Sequence, residues 1–310
     1  MSTRIGAPHC QLGLALISVL WVVALLTVVA GALSLSVRYE TRFARAVVSG
    51  AQTRAAAEGA IYLALKQLVE HAQASGERLD RALYHVTLGE VPVRVAIVDA
   101  AGKIDLNTAA PELLDGLLSS VGVEDWRRAE LVDAIQDWRD VDNLTRLNGA
   151  EDSEYQAAQR PYGSKDGEFA SVDELQLVLG MSPALYRQIR GALTVHSHQR
   201  GINPSAASRD VLLAVPGLGI DTINAYVDAR EEDESRGAPA LPAPVIDQRF
   251  VARANGVYTI HAAARMQDGT ETQLTVTVSL RPTDSTPFTI LDWTEVEPAF
   301  FADSRRGART

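Results

Sequence analysis

Carboxylates crowd one stretch of this sequence. Asp133-Ala134-Ile135-Gln136-Asp137-Trp138-Arg139-Asp140-Val141-Asp142 is followed closely by Gly149-Ala150-Glu151-Asp152-Ser153-Glu154. Asp133 and Asp137 share a face if the segment is helical, and Asp140 and Asp142 fall where that helix would end. Negative side chains there oppose the helix dipole, which favours cations at a C-terminus. Several carboxylates converging without enough cations suit a hard divalent ion, and calcium takes roughly six to eight oxygens from such loops. The stretch has neither the spacing nor the closing glutamate of an EF-hand. A solvated acidic surface, partly neutralised by Arg139 and Arg146, explains the same residues equally well.

Other chemistry is thinly represented. The chain has no G-x-S-x-G nucleophile elbow and no G-x-x-x-x-G-K phosphate loop. His196-Ser197-His198 offers two imidazoles but no evident third ligand, so it reads as a solvated loop. The expectation is a protein that is not an enzyme; a membrane-anchored periplasmic metalloenzyme is the alternative the acidic residues leave.

The elements around the acidic stretch are helical. Ile104-Asp105-Leu106-Asn107-Thr108-Ala109-Ala110-Pro111-Glu112-Leu113-Leu114 is echoed by Gly201-Ile202-Asn203-Pro204-Ser205-Ala206-Ala207-Ser208-Arg209-Asp210-Val211-Leu212-Leu213. Each copy runs into a glycine-bearing turn and a further helix. Asn107 and Asn203 are the expected N-caps, with Pro111 and Asp210 in the first turns. The second turn, Val215-Pro216-Gly217-Leu218-Gly219, resembles a helix–hairpin–helix motif, which presents backbone amides to phosphate. Lysine and arginine normally back such contacts. Here Asp221 and Glu231-Glu232-Asp233-Glu234 follow, so a structural turn with φ > 0 at glycine is the expectation and no nucleic acid is expected.

Strand signals flank this block. Val91–Val98 alternates, and Gly256–Ala264, Thr272–Leu280 and Pro287–Trp293 follow it, with Gln267-Asp268-Gly269-Thr270 as a hairpin turn between the first two of these. Strand, helices, strands is the order of a helical block inserted into an antiparallel sheet. Glu231–Pro244, charged and then proline-rich, reads as a flexible link back to that sheet.

The N-terminus differs from everything else. No charged residue lies between Arg4 and Arg38. As a helix, Leu14–Val37 is about 36 Å long, more than a ~30 Å hydrocarbon core, and apolar all round. From Arg38 to about Gln73, Phe43, Val47, Ala51, Ala55, Ile61, Leu65 and Leu68 keep helical spacing, which predicts a continuing amphipathic helix. The 310 residues carry a net charge of −10, against general affinity for nucleic acid or an anionic membrane surface. Cys10 is the only cysteine, so no disulfide framework exists. Acidic bulk after the helix and Arg4 before it predict a cytoplasmic N-terminus and an exported body.

In an ordinary secretory signal the cleavage site follows the apolar run. Here the candidate site, Gly13, precedes it, and Gly13-Leu14-Ala15-Leu16-Ile17-Ser18 resembles the class III leader of type IV pilins and pseudopilins. The resemblance implies cleavage after Gly13 by a prepilin peptidase and N-methylation of Leu14. Gln11-Leu12 replaces the usual basic residue before the glycine, and Ser18 stands where those families usually carry glutamate. A carboxylate in lipid needs a partner; without it, a subunit suits a filament end.

Further residues sharpen the likeness. Asp137-Trp138-Arg139-Asp140-x-Asp142, Gly149-Ala150-Glu151-Asp152-x-x-Tyr155, Pro161-Tyr162 and Ser171-Val172-Asp173-Glu174-Leu175-Gln176-Leu177-Val178-Leu179-Gly180 resemble the K-type minor pseudopilins of bacterial type II secretion systems. The resemblance implies an α+β fold: a long N-terminal transmembrane helix on an antiparallel-sheet pseudopilin head, with a large inserted all-α domain. Its boundaries are expected at 1–13 (leader), 14–37 (membrane), 38–104 (rest of the helix and first strands), 105–240 (insertion, subdivided near 195) and 241–310 (last strands). It implies a place at the tip of an inner-membrane-anchored, periplasmic pseudopilus. The implied partners are the I- and J-type minor pseudopilins, the major pseudopilin, prepilin peptidase and the inner membrane. It also implies one or two calcium ions, with Asp137, Asp140, Asp142, Glu151, Asp152 and Glu154 as ligand candidates and the Lys165-Asp166-Gly167 loop as a further contributor. A minor pilin of a type IV pilus or DNA-uptake system is the alternative filament reading.

Overall fold

The computed structural model describes residues 12–75, 81–236, 242–281 and 286–295. Helix α1 spans Leu12–Ser75 without a proline to interrupt it. Its C-terminal third lies on a five-stranded antiparallel sheet of β1 (Arg81–Leu88), β2 (Val91–Asp99), β5 (Val257–Arg265), β6 (Glu271–Ser279) and β7 (Thr289–Glu295), in the order β1-β2-β5-β6-β7. Between β2 and β5 come β3 (Ile104–Asp105), α2 (Pro111–Ser120), α3 (Asp125–Arg139), α4 (Asp152–Ala157), α5 (Pro183–Ile189), β4 (Leu193–Thr194), α6 (Arg209–Leu213) and α7 (Ile220–Arg236). The expected helical insertion in an antiparallel sheet is therefore present.

The hydrophobic pattern explains how α1 docks. Ala57, Ala60, Ile61, Ala64, Leu65 and Leu68 are buried against Val91, Val93, Val95, Ile260, Ala262, Leu274, Val276 and Val278. Small residues let the helix approach the sheet closely, and Ser49 and Thr53 extend the seam by bonding Asp268 and Thr272. The expected stripe is only half right. Ile61, Leu65 and Leu68 face the core, but Phe43, Val47, Ala51 and Ala55 are exposed, because the packed face follows the small residues instead.

Along the first third of α1 the apolar side chains from Val19 to Val29 are exposed, Trp21 by 72%. Among the described residues no helical stretch is long and apolar enough to cross a membrane. The expected 14–37 span exceeds the side chains described there, those of 18–32. Residues 1–11 of the expected leader lie outside the described residues.

A second core sits wholly in the insertion, around Leu113, Leu117, Leu131, Ile135, Trp138, Tyr155, Leu175, Ile189, Leu193 and Leu212. Of two wholly buried aspartates, Asp99 fastens this unit to the sheet and Asp105 braces it from within. Asp99, at the end of β2, accepts from Asn203 Nδ2 at 2.9 Å and from the Ala101 amide. Asp105 accepts from Ser197 Oγ and the amides of His198 and Asn107. At Gly102 and Gly201 an added Cβ would stand within 3 Å of the backbone of Ala206 and Phe250, so the chain crossings there require glycine.

Several local expectations change. Ala110 and Ser208, not Asn107 and Asn203, precede α2 and α6. Asn107 instead exchanges two hydrogen bonds with the backbone of Phe169, and Asn203 reaches Asp99. The insertion also holds a short parallel pair, β3 with β4. Glu231–Arg236, expected in the link, continue α7. Ser197, expected in a solvated loop, is fully buried on Asp105. Gly217, in the hairpin turn between α6 and α7, does adopt φ +80°, and Gly122 does the same between α2 and α3.

Candidate functional site

The acidic residues gather at the C-terminal end of α3, on a floor of aromatic rings. Trp138 packs against Tyr155, Tyr162 and Phe169, with ring centroids 5.8, 6.5 and 6.1 Å apart. This floor fixes α3, α4 and the loops after them. Three groups come over it: Asp137 and Asp140 from α3 and its cap, Glu151 and Asp152 from the start of α4, and Asp166 from the following loop.

Asp137 is fully buried, and its carboxylate is saturated. Oδ2 accepts from the amides of Arg146 (3.2 Å) and Ala150 (2.9 Å), and Oδ1 from the Arg146 guanidinium at 2.6 Å. Arg146 also pairs with Asp140. Arg139, expected as a second neutraliser, turns away and donates to the carbonyls of Leu106 and Ala109. One guanidinium therefore serves this centre where two were expected.

Glu151 is the electrostatic focus. It is 3% exposed, and its carboxylate oxygens make no well-formed hydrogen bond, the Glu154 amide of the α4 capping box being the donor that faces them. Burial, followed by the charges of Asp137, Asp166, Asp140 and Asp152, pushes its carboxyl up to about 7. One buried oxygen each on Asp140 and Asp166 is likewise without a partner. Asp166 has φ +52°, a left-handed conformation uncommon for a side-chain-bearing residue. Orphaned buried oxygens and a left-handed aspartate at one place make this the candidate site.

The remaining expected ligands are placed differently. Asp142 is exposed and accepts only from the Leu144 amide (3.0 Å) within its own loop. Asp152 is exposed and accepts from the Ser164 amide, while Glu154 accepts from the Glu151 amide at 2.9 Å and so helps cap α4. That amide holds the Glu154 carboxyl below its usual range. Asp133 holds Asn148 through both its amide and its side chain.

Two glycines let the loops close in. A Cβ on Gly149 would lie 1.9 Å from Asp137 Oδ2, and one on Gly163 would lie 1.7 Å from Asp152 Oδ1. The sequence shows these glycines but not what they approach. Among the described residues, no three carboxylate, imidazole or thiol side chains stand in a ready arrangement for a metal ion. The buried carboxylate oxygens left without a well-formed hydrogen bond belong to Glu151, Asp140 and Asp166, hard donors of the kind that calcium takes.

Comparison with known proteins gives one answer throughout. Residues 95–198 match the family model described as type II secretion system protein K. Type II secretion system protein K of Klebsiella pneumoniae is 28% identical over 283 residues, covering 82% of this chain and 86% of that protein. Its counterpart from Aeromonas hydrophila is 27% identical over 277 residues, covering 77% of this chain and 83% of that protein. In fold, the chain matches a chain of the GspK-GspI-GspJ complex of enterotoxigenic Escherichia coli, with a TM-score of 0.54 at 18% identity, over 84% of this chain and 99% of that one.

Proposed function

From the premise that this chain is a relative of type II secretion system protein K, we propose that it is a minor pseudopilin of a type II secretion system. The observation that carries this reading is the joint one: a protein K match over 95–198, on a sheet packed by the long helix α1, with the helical block between β2 and β5. The family is a structural component of a secretion machine, and the role is one of assembly rather than turnover.

In this reading the exposed apolar side chains of α1 from Val19 to Val29 need lipid or neighbouring helices around them. The helix anchors the subunit in the inner membrane with its body in the periplasm, after cleavage following Gly13 and methylation of Leu14. Ser18 makes no demand for a neighbour's amine, and the insertion is bulky. Both features suit a tip subunit that starts and caps the filament with two other minor pseudopilins. The E. coli protein whose fold this chain shares forms a GspK-GspI-GspJ complex.

We also propose that the acidic centre binds calcium. Glu151, Asp140 and Asp166 would hold the ion, which would neutralise carboxylates whose one ion-pair partner among the described residues is Arg146 and fix the loops to α3. Its role is structural.

Intact mass of the membrane-extracted protein, expressed with and without a prepilin peptidase, tests the assembly reading. Loss of residues 1–13 and gain of one methyl group, only with the peptidase, is the expected result. An uncleaved chain in both samples would leave a signal-anchored protein and remove the tip model.

A further inference from the structure

The segment between α3 and α4 does something the acidic centre does not require. Val141, Leu144 and Leu147 stand in one loop and are 83%, 76% and 96% exposed. Large aliphatic side chains on a loop that curls freely would usually fold back onto the body. This loop is prevented from doing so. Arg146 is tied by its amide and guanidinium to Asp137 and by the guanidinium to Asp140; Asp142 holds the Leu144 amide; Asn148 is held twice by Asp133. The Gly149 amide closes the turn on the Arg146 carbonyl at 3.1 Å. Every anchoring bond is made by a polar group, and the apolar side chains are what remain outside.

We propose that this loop is a docking prong for a folded protein partner presenting an apolar cleft rimmed by lysine or arginine. Aliphatic side chains held out on a pinned backbone lose little conformational freedom on binding, the condition under which a few residues dominate an interface. The charge of the surroundings selects the partner. Asp142 and Asp152 are exposed beside the loop, Asp133 and Asp140 are partly exposed, and the whole chain carries a net charge of −10. Anionic lipid and nucleic acid meet repulsion here, whereas a basic rim meets complementary charge. The inference concerns the insertion alone and does not depend on how α1 is processed.

The test uses the full-length protein in cells carrying its complete secretion apparatus, with the photocrosslinking residue benzoylphenylalanine at position 147 as the probe. The expected result is one discrete protein adduct whose linked peptide contains apolar residues next to lysine or arginine. Charge reversal by Asp142→Lys should reduce its yield roughly tenfold, as should Val141→Ser with Leu144→Ser. A control probe at Val245, 98% exposed outside the loop, should give no such adduct. Lipid adducts only, the same adduct from position 245, or a yield indifferent to these substitutions would overturn the proposal. Because all the replaced side chains are exposed, an unchanged melting temperature separates lost docking from lost folding. Wild-type secretion in a variant carrying Val141→Ser, Leu144→Ser and Leu147→Ser would overturn the proposal as well.

Discussion

The Arg146 guanidinium lies 2.6 Å from the carboxylate of Asp137, one partner wholly buried and the other a third exposed. The pair is asymmetric. Asp137 also accepts two backbone amides, so removing the cation leaves a buried charge that is only partly compensated. Arg146→Ala should cost about 2–3 kcal/mol, below the range for a fully buried pair because water reaches the arginine. Urea unfolding measures this directly; a loss under about 0.5 kcal/mol would show that the amides alone hold Asp137.

Glu151 is the residue that tests the proposed calcium centre. Glu151→Gln removes a buried charge that four neighbouring carboxylates oppose, so the cation-free protein should melt higher than wild type. The same variant should lose most of the rise in melting temperature that calcium chloride gives the wild type over a chelator. Asp142→Asn should leave that rise unchanged, since Asp142 is engaged only with its own loop. Equal calcium responses in all three proteins would remove the metal from the centre.

Gly116 marks the closest approach of α2 to the chain after α6. A Cβ there would lie 2.0 Å from the carbonyl oxygen of Ala214. Backbone cannot swing away as a long side chain can, so Gly116→Ala should destabilise the insertion by about 1–3 kcal/mol despite the helix-favouring change. Gly50→Ala, with open space around its Cβ, is the matched control on α1 and should be neutral or slightly stabilising.

Acid should weaken the fold through two histidines. Burial, with Lys103 second, holds His261 well below the usual imidazole range, and burial also lowers His196. Both bind protons more readily unfolded than folded. Their contribution is complete above about pH 6.5, the unfolded value, and is lost as pH falls toward the folded values. His261→Gln, which can still bond Thr275, should flatten the fall in urea midpoint between pH 7.5 and 5. An undiminished slope would assign the acid sensitivity elsewhere.

What the sequence disclosed depended on the range of the interaction. The hairpin at Asp268-Gly269, the turn glycine Gly217 and the insertion of helices between strands are local patterns, and all are present in the structure. Asn107 and Asn203 looked like caps because capping is what nearby backbone offers; their partners lie 62 and 104 residues away. Strand β1 was hidden because Leu83, exposed, breaks an alternation that Ala82, Tyr84 and Val86 otherwise keep. In the acidic centre, charge density was legible, but saturation was not. Nothing in their spacing separates Asp137, fully satisfied, from Glu151, poorly satisfied.

The neighbouring of β2 and β5 has a consequence for how such a subunit can vary. Asp99 and Tyr258 are register partners, one strand spacing of about 4.8 Å apart, although the entire insertion separates them in the chain. Apart from the bond by which Asp99 holds Asn203, the sheet therefore sees the insertion as a closed loop with two adjacent ends. Any unit whose termini emerge side by side could ride in the same slot without altering a rung of the ladder. The head is a socket, and what it carries between β2 and β5 is exchangeable equipment on a fixed mount.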